Sequence, residues 1–359
     1  MKSLSAFFCK RKMIAVGLLL FILSFLNFGG EKIIAKADGQ AQAQSYLTGE
    51  WKSSGVAKRR PLAIVIANNK AALPQYGLSL ASVFYEAPVE GGMTRLMLFV
   101  EDYDDLTRIG PARSARDYFV YEAMGRNAIF SHWGLAVPYC GDLINGSTVD
   151  NISAAVAGIT KSSSEAFKRY TRPGKALEFT GYLTIDGYNK AVKRHGYSTS
   201  YASEYEKQFT FASERAEYPD RPAATKIYPG GKTSNASGYG SNKARFEYNA
   251  EDKLYYRYQY GGKQVDEMDN THIAVSNVVF QYISGDARDA NGYLYFNYLG
   301  TGDAKVFTNG RMIEGTWKRS SNEKPAKFYD SSDQEILLNT GKTWICVIWE
   351  KYSDKVIIE

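Results

Sequence analysis

Cysteine and histidine are both scarce in this sequence, with three residues of each among 359. The sequence has no H-E-x-x-H motif and no Cys-x-x-Cys pair, which are spacings that many zinc sites use. The glycine patterns of Walker-type and dinucleotide-binding motifs are also absent, so the sequence carries neither of these common nucleotide-binding motifs. We therefore expect no metal ion and no cofactor.

Dense runs of basic residues are missing as well. The net charge is +6, which is modest for this length. Proteins that bind nucleic acid usually cluster their basic residues more tightly, so we expect no nucleic-acid partner. Disorder of the whole chain is excluded, because hydrophobic residues make up 44% of it. A chain of this length is expected to form two domains.

One long apolar run is present, close to the N-terminus. Three basic residues precede the apolar residues 14–28, and small residues follow at Ala35 and Ala37. This order predicts a signal peptide over residues 1–37 and an extracytoplasmic, secreted protein. The alternative is an uncleaved signal, which would tether the chain to the outer face of the cytoplasmic membrane. No cysteine lies directly after the run, so we predict no lipid attachment.

The cysteines that remain after the signal are Cys140 and Cys346. Two such residues far apart in the sequence fit either a pair of free buried thiols or one disulfide bridge. The sequence leaves both alternatives open.

The remaining chain divides by composition. Residues 38–60 are polar and lack periodicity, which predicts a linker. Residues 61–215 mix short apolar runs with helical patterns, which predicts an α+β or α/β domain with a mixed sheet. Residues 216–240 are rich in Pro, Gly, Ser and Asn and predict a second linker. Residues 241–357 alternate strictly and predict an all-β domain, with hairpin turns at Gly261 and at Asn309-Gly310.

Three helices are predicted from local signals. Ser114 with Asp117 and Ser162 with Glu165 have the spacing of capping boxes ahead of apolar residues. Residues 187–195 have helical spacing and end in basic residues, which the helix dipole favours.

The stretch RIGPARSARDYF, residues 108–119, carries three arginines around a Gly-Pro turn. With Ser114 as the cap, the start of a helix would lie between Arg113 and Arg116. Backbone N–H groups and guanidinium groups together form a site for phosphate, sulfate or carboxylate.

Carboxylates and a further arginine occur nearby, in the stretch YEAPVEGGMTR. Glu86 and Glu90 could neutralise the arginines as an internal ion-pair network, because buried charges persist only when they are paired. The same residues, with Arg95 on its predicted strand, could instead line a ligand site. Solvated surface charge is a third interpretation.

His132 ends a predicted strand, where binding and catalytic groups are often displayed. The alternative is a histidine satisfied by a backbone carbonyl. Covalent catalysis by Ser114 or Cys140 with His132 lacks any local signature such as G-x-S-x-G. The acidic segment DARDANGY resembles a calcium loop only faintly, and we expect a β-turn there.

Tyrosine is abundant, with 27 residues. Cross-strand tyrosine pairs stabilise a sheet that has little helical cover. Exposed tyrosines could instead form a platform for a sugar or a peptide strand.

Two longer motifs resemble a known family. E-x-x-x-E-G-G-x-T-R at 86–95 and I-G-P-x-R-S-A-R at 109–116 are similar to the opening of the YerB-like family of bacterial envelope proteins. The segments at 277–283, 300–330 and 341–349 resemble that family's second domain. The resemblance implies an extracytoplasmic, lipoprotein-like, two-domain protein of uncharacterised biochemical function. It supplies no catalytic residues, although its motifs match Glu86, Glu90, Arg95, Arg113, Ser114 and Arg116.

The chain departs from the family pattern in two respects. The lipid-bearing cysteine is missing, and the surroundings of His132 read SHWGLAVPYCGD. We expect a binding or assembly module that recognises an anionic, peptide or cell-wall ligand, or an envelope protein. The candidate site residues are Glu86, Glu90, Arg95, Arg113, Ser114, Arg116 and His132. The alternative is a hydrolase or transferase acting on envelope material, with Glu86 or Glu90 as general base.

Overall fold

The computed structural model describes residues 34–35 and 41–359. The predicted signal peptide, residues 1–37, lies outside the described residues except for a two-residue strand. Within the described part of the chain, no helix combines the length and the apolar character needed to cross a membrane.

Strands predominate throughout. Those of the first part are β1 (Ile34–Ala35), β2 (Ala41–Gln44), β3 (Trp51–Ser53), β4 (Leu62–Ala67), β5 (Val83–Val89), β6 (Met93–Val100), β7 (Arg108–Ile109), β8 (Ile129–His132), β9 (Asn151–Ser153), β10 (Phe167–Arg169), β11 (Gly181–Thr184) and β12 (Thr210–Phe211). Those that follow are β13 (Lys226–Tyr228), β14 (Arg245–Asn249), β15 (Leu254–Gln259), β16 (Gly262–Lys263), β17 (Ala274–Val275), β18 (Asn277–Ile283), β19 (Gly285–Ala287), β20 (Leu294–Phe296), β21 (Gly300–Thr308), β22 (Arg311–Arg319), β23 (Lys327–Asp330), β24 (Leu337–Leu338), β25 (Thr343–Trp349) and β26 (Ile357–Ile358).

Helices are short and fewer. The α-helices are α1 (Ser54–Ala57), α2 (Asp117–Gly125), α3 (Val137–Asn145), α4 (Ile185–His195) and α5 (Tyr239–Asn242). Single turns of 3₁₀ helix occur at Lys70–Ala72, Ser164–Ala166 and Leu177–Phe179, and a longer one occurs at Glu350–Lys355.

A ten-stranded mixed sheet forms the centre of the molecule, in the order β23-β22-β21-β18-β25-β5-β6-β4-β8-β9. The mixed sheet expected for the first half is therefore present. It also contains strands from the second half, because β25 pairs in parallel with both β18 and β5. The two predicted domains share this sheet.

Layers on both faces bury the sheet. On one face Phe84, Leu98 and Ile64 meet α4, the three-stranded sheet β10-β11-β7 and the sheet that contains β13–β17. On the other face Tyr85 and Phe99 meet α2 and α3. The run LAIVIA of β4 is buried at all six positions, as expected for a strand covered on both sides.

Several local predictions are confirmed. The helix predicted over 187–195 spans Ile185–His195, and Gly196 ends it in the left-handed conformation. Asn309-Gly310 joins β21 to β22, and Tyr260-Gly261 joins β15 to β16. All four turn residues have positive φ, as type I′ turns require. Cys140 and Cys346 are free and buried, so they form no bridge.

The two capping boxes are wrong. The helix expected after Ser114 is present as α2, but it begins at Asp117 after the extended Arg116, and no side-chain cap hydrogen bond forms. Backbone hydrogen bonds from Arg113 N to Val65 O and from Ala115 N to Gly134 O hold this segment against neighbouring strands. After Ser162 a 3₁₀ turn leads into strand β10, because Phe167 packs in the core opposite Leu183.

The segments predicted as linkers carry ordered structure. Within residues 38–60, β2 pairs with β3 and Leu47 is fully buried. Within residues 216–240, β13 pairs with β14, and the hydroxyl of buried Tyr239 donates to Glu86 O at 2.7 Å. The linker prediction was wrong because the polar side chains of these segments form hydrogen bonds within the fold. For example, Ser45 Oγ donates to buried Glu101.

Candidate functional site

The structure divides the seven predicted site residues among separate places. Glu90, Arg95 and Arg116 lie together and are called the Glu90 cluster below; the backbone of Ser114 joins them. Glu86, Arg113 and His132 lie elsewhere, each with its own partners.

The Glu90 cluster lies where the β5–β6 turn meets the start of α2. Arg116 Nε donates to Glu90 Oε2 at 3.0 Å, and Arg116 Nη2 contacts the other oxygen, so the pair is bidentate. Arg95 donates to Ser114 O at 2.8 Å and lies 3.5 Å from Glu90 Oε1. One carboxylate thus serves two guanidinium groups, and both arginines are buried.

Electrostatics fix the protonation states in this cluster. Burial opposes the charged form of Glu90, but the hydrogen bonds and the charge of Arg116 outweigh burial and lower the pKa of Glu90. Burial, aided by the charge of Arg116, lowers the pKa of Arg95 to about 9. Glu90 is therefore a carboxylate committed to an ion pair at neutral pH.

Glu86 is fully buried between the central sheet and the sheet that carries β15. Arg257 Nη2 lies 2.8 and 3.0 Å from its two oxygens. Thr94 Oγ1 donates to it at 2.7 Å and Trp344 Nε1 at 3.0 Å. Arg257, which the sequence analysis missed, is therefore the partner of Glu86.

These ion pairs disfavour a general base at either glutamate. Glu86 has no exposed surface, and Glu90 is bound by a bidentate guanidinium group. A general base needs a free lone pair within reach of substrate or water.

Arg113 points away from the Glu90 cluster. It forms an ion pair with exposed Glu178 at 2.8 Å and lies 5.4 Å from the Phe179 ring. Side chains alternate sides along an extended backbone, so Arg113 and Arg116, three residues apart, diverge. A helical start would have kept them closer together.

His132 ends strand β8 as predicted, but it is fully buried. Its Nδ1 lies 2.6 Å from Gly134 O and its Nε2 lies 2.8 Å from Ser153 Oγ. A carbonyl can only accept, so Nδ1 carries the hydrogen. Burial lowers the pKa of His132 to about 4, which keeps the ring neutral. This arrangement matches a histidine satisfied by a backbone carbonyl.

A cluster of basic and aromatic side chains lies on the outer side of the β10-β11-β7 sheet. We call this region the basic face; it consists of the partly or fully exposed Tyr76, Arg108, Lys168, Tyr170 and Lys175, together with the largely buried Arg172 and Tyr182. The Arg108 guanidinium lies between two rings, 4.2 Å from the centre of Tyr76 and 4.3 Å from that of Tyr170. Lys168 is the cross-strand partner of Tyr182, so both side chains point to the same side.

Cations outnumber carboxylates on the basic face. Arg172 lies 3.4 Å from Glu267. Within the described chain, Arg108, Lys168 and Lys175 have no carboxylate oxygen within 4.0 Å. Among the residues that the structure describes, Lys175 donates only to Leu73 O, and the buried Arg108 Nε has no hydrogen-bond partner.

The sequence pattern indicated only part of the basic face. Arg108 begins the arginine-rich stretch but is not among the predicted site residues. Lys168, Arg172 and Lys175 lie in KRYTRPGK, where the signal was basic residues alternating with an aromatic one. Their approach to Arg108 depends on β7 pairing with β11, a contact between distant segments.

The tyrosines of the second half include packed cross-strand pairs and partly exposed side chains. Tyr248 and Tyr255 are cross-strand partners with ring centres 5.1 Å apart, which is sheet-stabilising packing. Tyr256 and Tyr258 remain partly exposed on the other side of β15. Among the residues that the structure describes, no group of three or more His, Cys, Asp or Glu side chains could hold a metal ion.

Comparisons with known proteins agree with this architecture. Residues 47–198 match "Protein of unknown function (DUF3048) N-terminal domain", and residues 235–345 match the C-terminal domain of the same description. "Putative lipoprotein YerB" of Bacillus subtilis (strain 168) is 26% identical over 346 residues, which cover 94% of this chain and 96% of that protein.

A solved structure is similar as well. The crystal structure of YerB from Bacillus subtilis has a TM-score of 0.73 and 24% identity, and the match covers 88% of this chain and 99% of that one. At this identity the likeness establishes the fold alone. With both domain descriptions matched in order, the chain belongs to the YerB-like family of proteins that carry the DUF3048 N-terminal and C-terminal domains.

Proposed function

We propose that this protein is an extracytoplasmic binding protein of the cell envelope, and that its basic face binds a polymer that carries phosphate groups. The location is supported by the N-terminal apolar run and by the relative that bears the name lipoprotein. The observation that carries the binding proposal is the excess of cations on the basic face, where Glu267 is the carboxylate that neutralises Arg172.

The geometry of Arg108 supports an anionic ligand. Its guanidinium is held between Tyr76 and Tyr170, and its Nε has no partner. Its Nε is buried, so a phosphate would be met by the Nη groups, which ring stacking holds in a fixed orientation. A lysine at the same place would not be oriented in this way.

The distribution of the charges favours a polymer over a single small anion. Lys168 lies on β10, whereas Arg172 and Lys175 lie in the turn that leads to the 3₁₀ helix Leu177–Phe179. The cations are therefore spread along the sheet and not gathered in one cavity. A ligand with repeated charges can contact several of them at once and gains affinity from each contact.

Binding of long-chain polyphosphate to the full-length protein tests the proposal. We expect the affinity to fall steeply as salt is raised, because exposed charges are screened. The triple variant Arg108→Gln, Lys168→Gln, Lys175→Gln should bind at least about tenfold more weakly. Arg108→Lys should lose part of the affinity although the charge is kept.

A matched control removes the same number of charges elsewhere. Lys190, Lys305 and Lys318 each pair with a nearby carboxylate outside the basic face. Their triple change to Gln should leave the affinity within about twofold of the unaltered protein. Equal losses in the two triple variants would show that net charge alone drives binding and would refute the proposed face.

A further inference from the structure

A cavity of about 340 Å³ lies beside strands β15 and β17, and none of its lining residues belongs to the basic face. Its lining includes Glu50, Ser79, Tyr256, His272 and Lys342. The volume suits a small molecule and is too small for a polymer.

Lys342 supplies an incompletely partnered ammonium group to the cavity. Its Nζ donates to the carbonyl oxygen of Ser79. No carboxylate oxygen of the described residues lies within 4.0 Å of Nζ, and burial lowers the pKa of Lys342. An ammonium group has three donors, so two are left for other partners.

Glu50 supplies a weakly held carboxylate to the same cavity. Its side chain is 49% exposed, and its ion-pair partner Lys52 lies 3.5 Å away. Lys52 is closer to buried Glu101, at 2.8 Å. Glu50 and Lys342 thus line one cavity without forming an ion pair with each other.

The remaining acidic groups near Lys342 are engaged with the backbone. Asp266 accepts hydrogen bonds from the N–H groups of Gly77 and Ser79. Asp269 accepts one from the N–H group of Thr271. Glu50 therefore supplies the carboxylate that can bind a ligand in this cavity.

The wall formed by β15 and β17 is largely apolar and aromatic. The rings of Tyr256 and His272 lie 4.9 Å apart, and Leu254 and Val275 also line the cavity. Such a wall packs against the body of a ligand while charged groups fix its orientation.

We propose that this cavity binds a free zwitterionic amino acid, whose carboxylate pairs with Lys342 and whose ammonium group pairs with Glu50. Two opposite charges that share a cavity but remain apart are complementary to a ligand that carries both charges. The apolar wall receives the amino-acid side chain. This inference is independent of the basic face.

Thermal unfolding and calorimetric titration of the full-length protein with a panel of free amino acids test this inference. A ligand that binds only the folded state raises the unfolding midpoint in a saturable manner. We expect at least one amino acid to do so, whereas acetate and methylammonium at equal concentration do not. Lys342→Met and Glu50→Gln should each weaken binding at least about tenfold.

Lys190→Met is the matched control, because Lys190 is exposed, pairs with Asp186 and does not line the cavity. Its binding should equal that of the unaltered protein. If Lys342→Met fails to fold, Glu50→Gln decides, because Glu50 is half exposed. The inference is overturned if no amino acid binds, if acetate binds as tightly as the amino acids, or if Glu50→Gln leaves binding unchanged.

Discussion

Glu86 illustrates how far single residues could be predicted from the sequence. In one of the three interpretations of the sequence its carboxylate neutralises Arg113 and Arg116 together with Glu90, yet it pairs with Arg257, 171 residues further along the chain. The Glu90 cluster was predictable, because a short turn brings Glu90 back towards Arg95. The pairing of Glu86 depends on the contact between two sheets, which no local pattern encodes.

Replacing Arg257 should show how strongly an unpaired buried charge lowers the free energy of unfolding. Arg257→Met leaves the Glu86 carboxylate buried and unpaired, so we expect the free energy of unfolding to fall by about 3–5 kcal/mol. The double variant with Glu86→Gln should regain at least about 1 kcal/mol of that loss. Urea unfolding measures both changes, and a double variant that shows no recovery would argue against the pairing.

His132 predicts a pH dependence of stability. Its folded-state pKa of about 4 lies below the ordinary value of 6.5, so the unfolded state binds more protons between these values. The contribution is fully present above pH 6.5 and is lost as the pH falls towards 4. We expect a loss of about 3 kcal/mol across that window. His132→Gln should remove this component, and parallel stability curves for the two proteins would contradict the assignment.

At the scale of elements, turns were predicted better than helix starts. Asn309-Gly310 and the glycines at 261 and 262 predicted hairpins because positive φ is a local requirement. Ser114 and Ser162 predicted helix caps that do not form. Both serines have the right spacing, but strand pairing of the flanking residues determines the backbone there. Tertiary hydrogen bonds override a capping signal that contributes only about 1 kcal/mol.

The two type I′ turns allow a matched test. Gly310 has φ +72°, and an added Cβ would lie 2.7 Å from the Tyr248 ring. Gly261 has φ +84° with open space around it. Gly261→Ala should cost about 1 kcal/mol from the backbone alone. Gly310→Ala should cost at least about 1 kcal/mol more because of the contact. Equal losses of unfolding free energy would show that Tyr248 does not restrict the turn.

At the scale of the whole molecule, the two-part sequence forms one central sheet. Strand β25 lies between β18 and β5, although β5 is far away in the sequence. The run TWICVIW is buried at every position, which is typical of a parallel strand covered on both faces. The composition indicated two halves and an α+β fold. The pairing of strands from the two halves could not be predicted, because no local sequence pattern identifies the partner of a strand.

A shared sheet predicts coupled unfolding. We expect calorimetry of the full-length protein to show a single transition, because separating the halves would expose the edge of β5 and break the Glu86–Arg257 pair. Two independent domains would each unfold at their own temperature. Two resolved transitions would contradict this expectation.

The central functional claim is that the basic face binds a phosphate-bearing polymer of the envelope. The most direct measurement is co-sedimentation of the full-length protein with isolated cell-wall fragments, before and after chemical removal of their phosphate-containing polymers. We expect removal to lower the apparent affinity at least about tenfold, and we expect the triple variant of Arg108, Lys168 and Lys175 to bind the intact fragments just as weakly. Undiminished binding to the stripped fragments, or full binding by the triple variant, would contradict it.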